Sequence, residues 1–276
     1  MVLERPVQAK PAQAMKPAIV VTGAASGIGR ELARVAAREP LLEGSAMLLV
    51  DQSQQALEVL VAELGRPGAQ SHGLCVDLTE RGAGQRVEDA LAEHGLYCDV
   101  LVNCAGILVY GPAAEVDRDQ QLRLLDVNMR ALTELTLRFV PAMAARRHGG
   151  VLNIGSITAY MPGPYVALYH ASKAYVRSFT AALGAELAGT GVTVTCLNPG
   201  IVRTALSWHS SIGQTRLHKI LPRTDPAKVA EVGWRAFRAG KRQVIPGLVN
   251  RIIVRAIGLI PEATVLRLIT FLLRKR

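Results

Sequence analysis

Ile19-Val20-Val21-Thr22-Gly23-Ala24-Ala25-Ser26-Gly27-Ile28-Gly29-Arg30 carries an apolar, β-branched run into three glycines and out into a helical pattern of Leu32, Ala33, Val35 and Ala36. A buried strand that feeds a helix in this way leaves the first helical amides unpaired and aimed at an anion. Gly23 and Gly27 let the backbone approach a pyrophosphate with no Cβ in the way, and Gly29 lets the helix pack closely on the sheet. Ser26 and Ile28 complete the turn. The spacing is Gly-x-x-x-Gly-x-Gly, whereas the commonest dinucleotide fingerprint is Gly-x-Gly-x-x-Gly. Three glycines also make ordinary tight turns, so the rest of the chain has to carry the reading.

Moving outward, Met47 to Val50 reads as a second strand that ends at Asp51, where a carboxylate accepts hydrogen bonds from the adenosine ribose hydroxyls. A 2′-phosphate would meet a second negative charge there, and residues 24–26 and Gln52 supply no cation to offset it, with Arg30 the exception. NAD is therefore expected over NADP. The competing reading makes Asp51 the N-cap of the next helix. His72 to Val76 reads as a third strand closed by Asp77-Leu78. Asp77 either reaches the adenine edge or caps the helix that follows. Asp99 to Asn103 reads as a fourth strand running into Cys104-Ala105-Gly106, small residues over which adenine and ribose can lie. A long helix, roughly Asp119 to Arg147, holds Asn128 in an aliphatic setting, where a buried amide must find partners, the backbone of a neighbouring helix among them.

Gly150 to Gly155 reads as a fifth strand with Ser156 at its carboxyl edge, where open α/β sheets bind ligands. Tyr169-His-Ala-Ser-Lys173 follows. Residues four apart share a helix face, so Lys173 lies beside Tyr169. A neighbouring ammonium and a cationic ring both favour the phenolate and lower a pKa that is ordinarily near 10. Tyr160 and Tyr165 have no Lys four residues on. Ser172 shares the helix of Tyr169, whereas Ser156 comes from the strand edge and faces the phenol across a cleft, so Ser156 is taken as the hydroxyl partner. Val192 to Leu197 reads as a sixth strand, and Pro199-Gly200 turns the chain at the sheet edge. There the Val202 backbone and the Thr204 hydroxyl are placed to bind a carboxamide. Gln243 to Pro246 makes a short final strand.

Taken together, these residues resemble the classical short-chain dehydrogenase/reductase family over roughly Pro17 to Thr204, and more loosely to residue 247. Order and spacing fit from the glycine turn through Asp51, Asp77, Asn103-Cys-Ala-Gly106, Asn128, Ser156, Tyr169-x-x-x-Lys173 and Pro199-Gly200. Cys104 departs from the Asn usual at its position. The resemblance implies an α/β fold, Rossmann-like, with a doubly wound parallel sheet of seven strands in a single domain. It implies Tyr169 as general acid/base, Ser156 on the substrate oxygen, and Lys173 on the nicotinamide ribose. Asn128 would hold a water that relays protons from Lys173. It also implies a homodimer or homotetramer built on the long helices Asp119–Arg147 and Val166–Ala188. The activity to expect is interconversion of a secondary alcohol and a ketone. A non-catalytic dinucleotide-binding regulator or scaffold is the competing class.

Bulk properties agree with such a fold. Half of the 276 residues are hydrophobic and few are aromatic, which suits a parallel sheet covered on both faces. Cys75, Cys98, Cys104 and Cys196 share no CxxC spacing and read as reduced core thiols of a cytoplasmic protein rather than metal ligands. The net charge is +10, yet residues 1–202 hold 17 Lys and Arg against 19 Asp and Glu, and residues 203–276 hold 15 against 3. The excess lies in the last quarter, with no helix-turn-helix, zinc-finger or RNP-type pattern beside it. No nucleic acid is expected, and an anionic membrane surface or an acidic substrate explains the charge equally well.

Three segments frame the body. Residues 1–16 read as a mobile tail, residues 17–247 as the catalytic domain, and residues 248–276 as a basic, apolar extension. Within the domain, residues 205–224 read as a flap over a lipophilic alcohol or ketone, or one with an acidic tail, with Trp208 either packing the flap or touching the substrate. Val265, Leu268, Ile269 and Leu272 make a helical stripe in the extension, but Arg251, Arg255, Arg267 and Pro261 argue against a bilayer span. Packing on the core or on a partner subunit ranks first for this stripe. A lid over the substrate comes second, and a peripheral membrane contact third.

Overall fold

The alternation of aliphatic runs with amphipathic stretches winds into seven strands flanked by helices, as the sequence predicts. The computed structural model describes residues 15–38, 46–65, 70–204 and 211–274. Residues 1–14 of the tail and Trp208 lie outside the described residues, as does the first part of the flap, while Lys16, expected in the tail, already pairs with Leu96. The strands are β1 (Lys16–Thr22), β2 (Ala46–Asp51), β3 (Ser71–Cys75), β4 (Leu96–Asn103), β5 (Gly149–Ile154), β6 (Val192–Leu197) and β7 (Gln243–Val244). They form one parallel sheet in the order β3-β2-β1-β4-β5-β6-β7. Strand order reverses between β1 and β4, and that switch point is where a crevice opens at the carboxyl ends of the strands.

The helices are α1 (Gly27–Ala36), α2 (Gln54–Leu64), α3 (Ala83–Glu93), α4 (Arg118–Leu125), α5 (Leu132–Arg146) and α6 (Ala167–Glu186). They continue as α7 (Arg216–Ile220), α8 (Pro226–Arg238), α9 (Leu248–Ile257) and α10 (Glu262–Leu273). Successive side chains of a strand face opposite ways, and β1 shows the result. Ala18 and Val20 join a core with α3, α5 and α6, while Ile19 and Val21 join a second core with α1, α2 and α8. Trp234 and Phe237 bring α8 into that second core, and its first turn is set by the Asp225 carboxylate accepting from Ala227 N, with Pro226 at the first helical position.

Two elements differ from the sequence expectation. β4 starts at Leu96, because Leu96 to Cys98 continue the pairing with Lys16 to Ala18 across a register shift between Ala18 and Ile19. The long helix is broken between α4 and α5 by a π-helical turn, Asp126–Ala131. Such a turn adds a residue to the helix and is common at functional sites. Here it carries Asn128, which is buried.

Candidate active site

The crevice is assembled by the chain leaving β1 and β4. The Thr22 hydroxyl accepts from the backbone N–H groups of Cys104 (3.1 Å) and Ala105 (3.2 Å), which ties the two strand ends together. Gly23 and Gly27 have φ of 63° and 52°, in the left-handed region that disfavours side chains. A Cβ on Gly23 would lie 2.8 Å from Ala105 Cα, and one on Gly27 would lie 3.0 Å from Thr204 Cγ2. Gly29 lets the start of α1 pack closely on the chain leaving β1, as expected. Its α-carbon sits against the Gly23 carbonyl, so it closes the turn itself and does not border the cavity. Ser26 occupies the N-cap position of α1 but makes no side-chain cap, so the leading amides of that helix stay open to a ligand.

Ser156, Tyr169 and Lys173 meet at the centre. The Ser156 side chain lies near enough to the Tyr169 phenol to lower its pKa, and Ser156 Oγ accepts from Thr158 N at 3.1 Å. The ammonium of Lys173 lies 5.8 Å from the centre of the Tyr169 ring and donates to the Ile154 carbonyl at 2.8 Å. Burial pushes the Tyr169 phenol up to about 12, against only the Ser156 side chain. The expected lowering belongs to the phenol with both the ammonium and a nicotinamide cation beside it; in the chain alone burial sets the direction. Desolvation disfavours the charged phenolate. Burial also holds the Lys173 pKa below its ordinary value.

Ser172, the other hydroxyl near Tyr169, is committed elsewhere. It donates to the Tyr169 carbonyl at 2.8 Å and accepts from Asn128 Nδ2 at 3.1 Å. Asn128 clasps the backbone of Ile107, accepting from its N–H (2.9 Å) and donating to its carbonyl (3.0 Å). Its partners are thus the loop after β4 and α6. Gly106 lies between this amide and the lysine, because a Cβ there would be 3.4 Å from Asn128 Oδ1 and 3.7 Å from Lys173 Nζ.

At the far end, Asp51 Oδ2 accepts from Ala25 N (3.0 Å) and Oδ1 from Ser53 N (3.1 Å). Ser53, not Asp51, is the N-cap of α2. Each carboxylate oxygen keeps a second lone pair for a ligand. Arg30 is held by Glu63 at 2.9 Å, the same carboxylate that pairs with Arg34. Asp77 is more fully engaged. Its Oδ1 accepts from the Thr79 N–H and hydroxyl, and its Oδ2 from Arg123 at 2.6 Å. Burial pushes its pKa up, yet the Thr79 and Arg123 hydrogen bonds win and leave it below the ordinary value. The helix that follows starts from Gly82, so Asp77 stabilises the turn ahead of α3 and does not cap the helix.

Asn103 is a correction. Its side chain turns away from the crevice, donating to Thr136 Oγ1 (3.0 Å) and Asn153 Oδ1 (2.9 Å) inside the sheet and helix layer. It does not border the cavity. Asn153 passes the chain of bonds on to Thr180 at 2.9 Å.

A cavity of about 590 Å³ joins these groups. Gly23, Ser26, Gly27 and Ile28 border one side, and Asp51, Asp77 and Leu78 one end. Ala105, Gly106, Pro199, Gly200, Val202 and Thr204 line it as well. Beyond Tyr169 the walls become apolar. Ile212, Leu217 and Leu221 come from the described part of the flap, and Ile253, Ile257, Ile269 and Leu272 come from α9 and α10. Val265, Ile269 and Leu273 bury against Val166 and Ile212, and Tyr110 donates its hydroxyl to the Leu273 carbonyl at 2.5 Å. The extension therefore packs on the body and walls the substrate end at once, which joins the first two readings of its apolar stripe.

Four lining residues carried no sequence signal. Arg123 bridges Asp77 and the Gln52 side chain. The Thr158 hydroxyl is buried without a hydrogen-bond partner among the described residues. His170 Nδ1 meets the Met161 carbonyl at 2.9 Å. His218 Nδ1 meets Thr215 Oγ1 at 3.1 Å, and burial pushes its pKa down to about 4. Of the four, only Arg123 is held by side chains from distant segments, Asp77 and Gln52.

A nucleotide-shaped crevice at a switch point, a helix N-terminus left uncapped, and a Ser–Tyr–Lys cluster midway define a dinucleotide-dependent α/β enzyme. The glycine turn, Asp51, the lysine and the Val202–Thr204 rim fit a nicotinamide dinucleotide. The short chain dehydrogenase family model matches residues 17–214, and the chain belongs to that family. It is similar to a short chain dehydrogenase of Pseudocercospora fijiensis, 34% identical over 189 residues, which cover 68% of this chain and 60% of that one. The chain thus spans less than two thirds of that relative. Among solved structures it is similar to a bulky-bulky ketone specific alcohol dehydrogenase from Comamonas testosteroni. There the TM-score is 0.71 and the identity 25%, over 90% of this chain and 96% of that one. A short-chain dehydrogenase from Sphingobium yanoikuyae in complex with NADPH gives 0.75 and 27%, over 88% and 94%. The protein is accordingly an oxidoreductase of this family.

Proposed function

We propose that the protein interconverts a secondary alcohol and a ketone with NAD, and that the substrate is bulky and lipophilic. The observation that carries the reading is the hydroxyl pair of Ser156 and Tyr169, which opens onto a cavity whose outer half is aliphatic. A carbonyl oxygen seated between the two accepts a hydrogen bond from Ser156 while Tyr169 delivers its proton. In the oxidative direction the same phenol takes the proton back. The nicotinamide, when bound, supplies or takes up the hydride. Lys173 keeps two N–H groups beyond its bond to Ile154 for the adjacent ribose. A water in the gap beside Gly106 would connect Lys173 to Asn128 for proton relay. Asp51 accepts from the adenosine ribose, and Arg30 is paired with Glu63 at 2.9 Å. Support for the substrate class comes from the apolar walls and from the likeness to the Comamonas ketone enzyme.

Exposed Leu122 and Leu137, on α4 and α5, suit burial between subunits of a homodimer or homotetramer. Among the described residues no helix is long and apolar enough to cross a membrane. The experiment is a panel of ketones of rising bulk, followed through the absorbance of NADH and of NADPH. Turnover should favour NADH and the bulkier, apolar ketones; binding of NAD with no turnover of any ketone or alcohol would make the protein a regulator instead.

A further inference from the structure

The helices that wall the substrate end turn a second apolar surface outward. Leu248, Val249 and Ile252 on α9, Leu259 in the following turn, and Leu268 and Phe271 on α10 are each at least half exposed, with Leu259 at 87%. Though α9 reads Leu-Val-Asn-Arg-Ile-Ile-Val-Arg-Ala-Ile, it has no buried residue. A soluble helix of that composition ordinarily hides its apolar stripe, and clustered apolar exposure of this kind marks an interaction site. Two observations identify what covers it. Arg251, Arg255, Arg267 and Arg274 stand exposed among the apolar side chains, with Glu262 the one acidic residue of the segment. The outer surface also meets the cavity at Ile260 and Leu268, which both line the cavity and are exposed.

We infer that this face docks on an anionic lipid bilayer, and that a membrane-dissolved ketone or alcohol reaches Tyr169 through the gap between α9 and α10. Leu248, Ile252, Leu259 and Phe271 enter the acyl boundary, and the arginines reach out to the headgroup phosphates along their own aliphatic stems. A second copy is a poorer occupant, because two such faces would oppose arginine to arginine with one glutamate each in compensation. The docking rests on surface chemistry alone. The access route rests also on the function proposed above, and the test separates the two.

Flotation of the full chain with phosphatidylcholine vesicles, with and without phosphatidylserine, provides that test. The native chain should float with the phosphatidylserine vesicles and dissociate as salt is raised. Arg251→Gln with Arg255→Gln should weaken partitioning about 25-fold, at about fivefold per arginine. Leu248→Asp with Leu259→Asp should abolish flotation, retain the native melting temperature and turn over water-soluble ketones at the native rate. The same pair should lose turnover of a ketone partitioned into vesicles. Failure of the native chain to float, or flotation undiminished in the Asp pair, overturns the docking. So does a native dimer that the Asp pair dissociates without any vesicle binding, since a second copy then covers the face. A chain that floats but turns over no ketone upholds the docking and overturns the substrate assignment.

Discussion

Replacing Tyr169 by Phe removes one oxygen from the middle of the cleft and leaves the ring in place. The phenol is buried, with a pKa raised from 10 to about 12, a bias of ~3 kcal/mol toward the neutral form. At neutral pH it is therefore a loaded proton donor. General acid–base groups contribute about 10²–10⁴-fold to rate, so kcat for ketone reduction should fall by that factor. Folding should change by about 1 kcal/mol at most, because a single hydroxyl is lost and Ser156 keeps its bond from Thr158 N. Cofactor affinity should hold, since Lys173 stays anchored to Ile154. The same raised pKa predicts flat reduction rates across neutral pH and oxidation rates that climb with alkalinity. The assay is stopped-flow NADH absorbance, with cofactor binding titrated separately by fluorescence. If Tyr169→Phe retains kcat within about tenfold of native and binds cofactor normally, the proton comes from elsewhere and the proposed mechanism is wrong.

Asp51→Ala should cost NAD about 10–100-fold in affinity, the range expected of charge-assisted hydrogen bonds, while affecting NADP far less. An unchanged NAD/NADP ratio would remove Asp51 from the ribose. The variant also frees Ala25 N from its partner, so a modest loss for both cofactors should accompany the shift. His218 is neutral and buried, with a pKa of about 4 against an ordinary 6.5. The folded chain thus binds fewer protons than the unfolded chain between those values. Stability is fully present above about pH 6.5 and is lost as pH falls toward 4, by roughly 3 kcal/mol from this residue. His218→Gln should flatten that acid limb in denaturant titrations, and an acid limb of native steepness would refute it.

Much of this arrangement was legible in one dimension because its physical causes are local. A parallel strand buried on both faces must be a short aliphatic run, as in Ile19 to Val21. A tight turn at positive φ must be glycine at 23 and 27. A tyrosine and a lysine four apart must share one face of α6. The preference for Ser156 over Ser172 was also readable, because a strand edge and a helix face each other across a cleft. Where local reasoning misled, a distant partner was responsible. The Asn103 amide is drawn into the sheet by Asn153 and Thr136, Asp77 is taken up by Arg123 from α4, and the Tyr169 pKa is raised by desolvation from the segments packed around it.

Periodicity and turn chemistry, which act over a few residues, were thus sufficient for the strand order's building blocks, the glycine turn and the Tyr-Lys pair. Register between remote strands, the π-helical turn under Asn128 and the placement of α9 and α10 over the cavity arise from packing free energy summed over the whole chain. No window of sequence contains that sum. Whether the apolar stripe of α10 faced the core, the substrate or solvent was accordingly a question for three dimensions. The answer, one face toward the cavity and the other exposed, follows from how little of these two helices the body of the protein can cover.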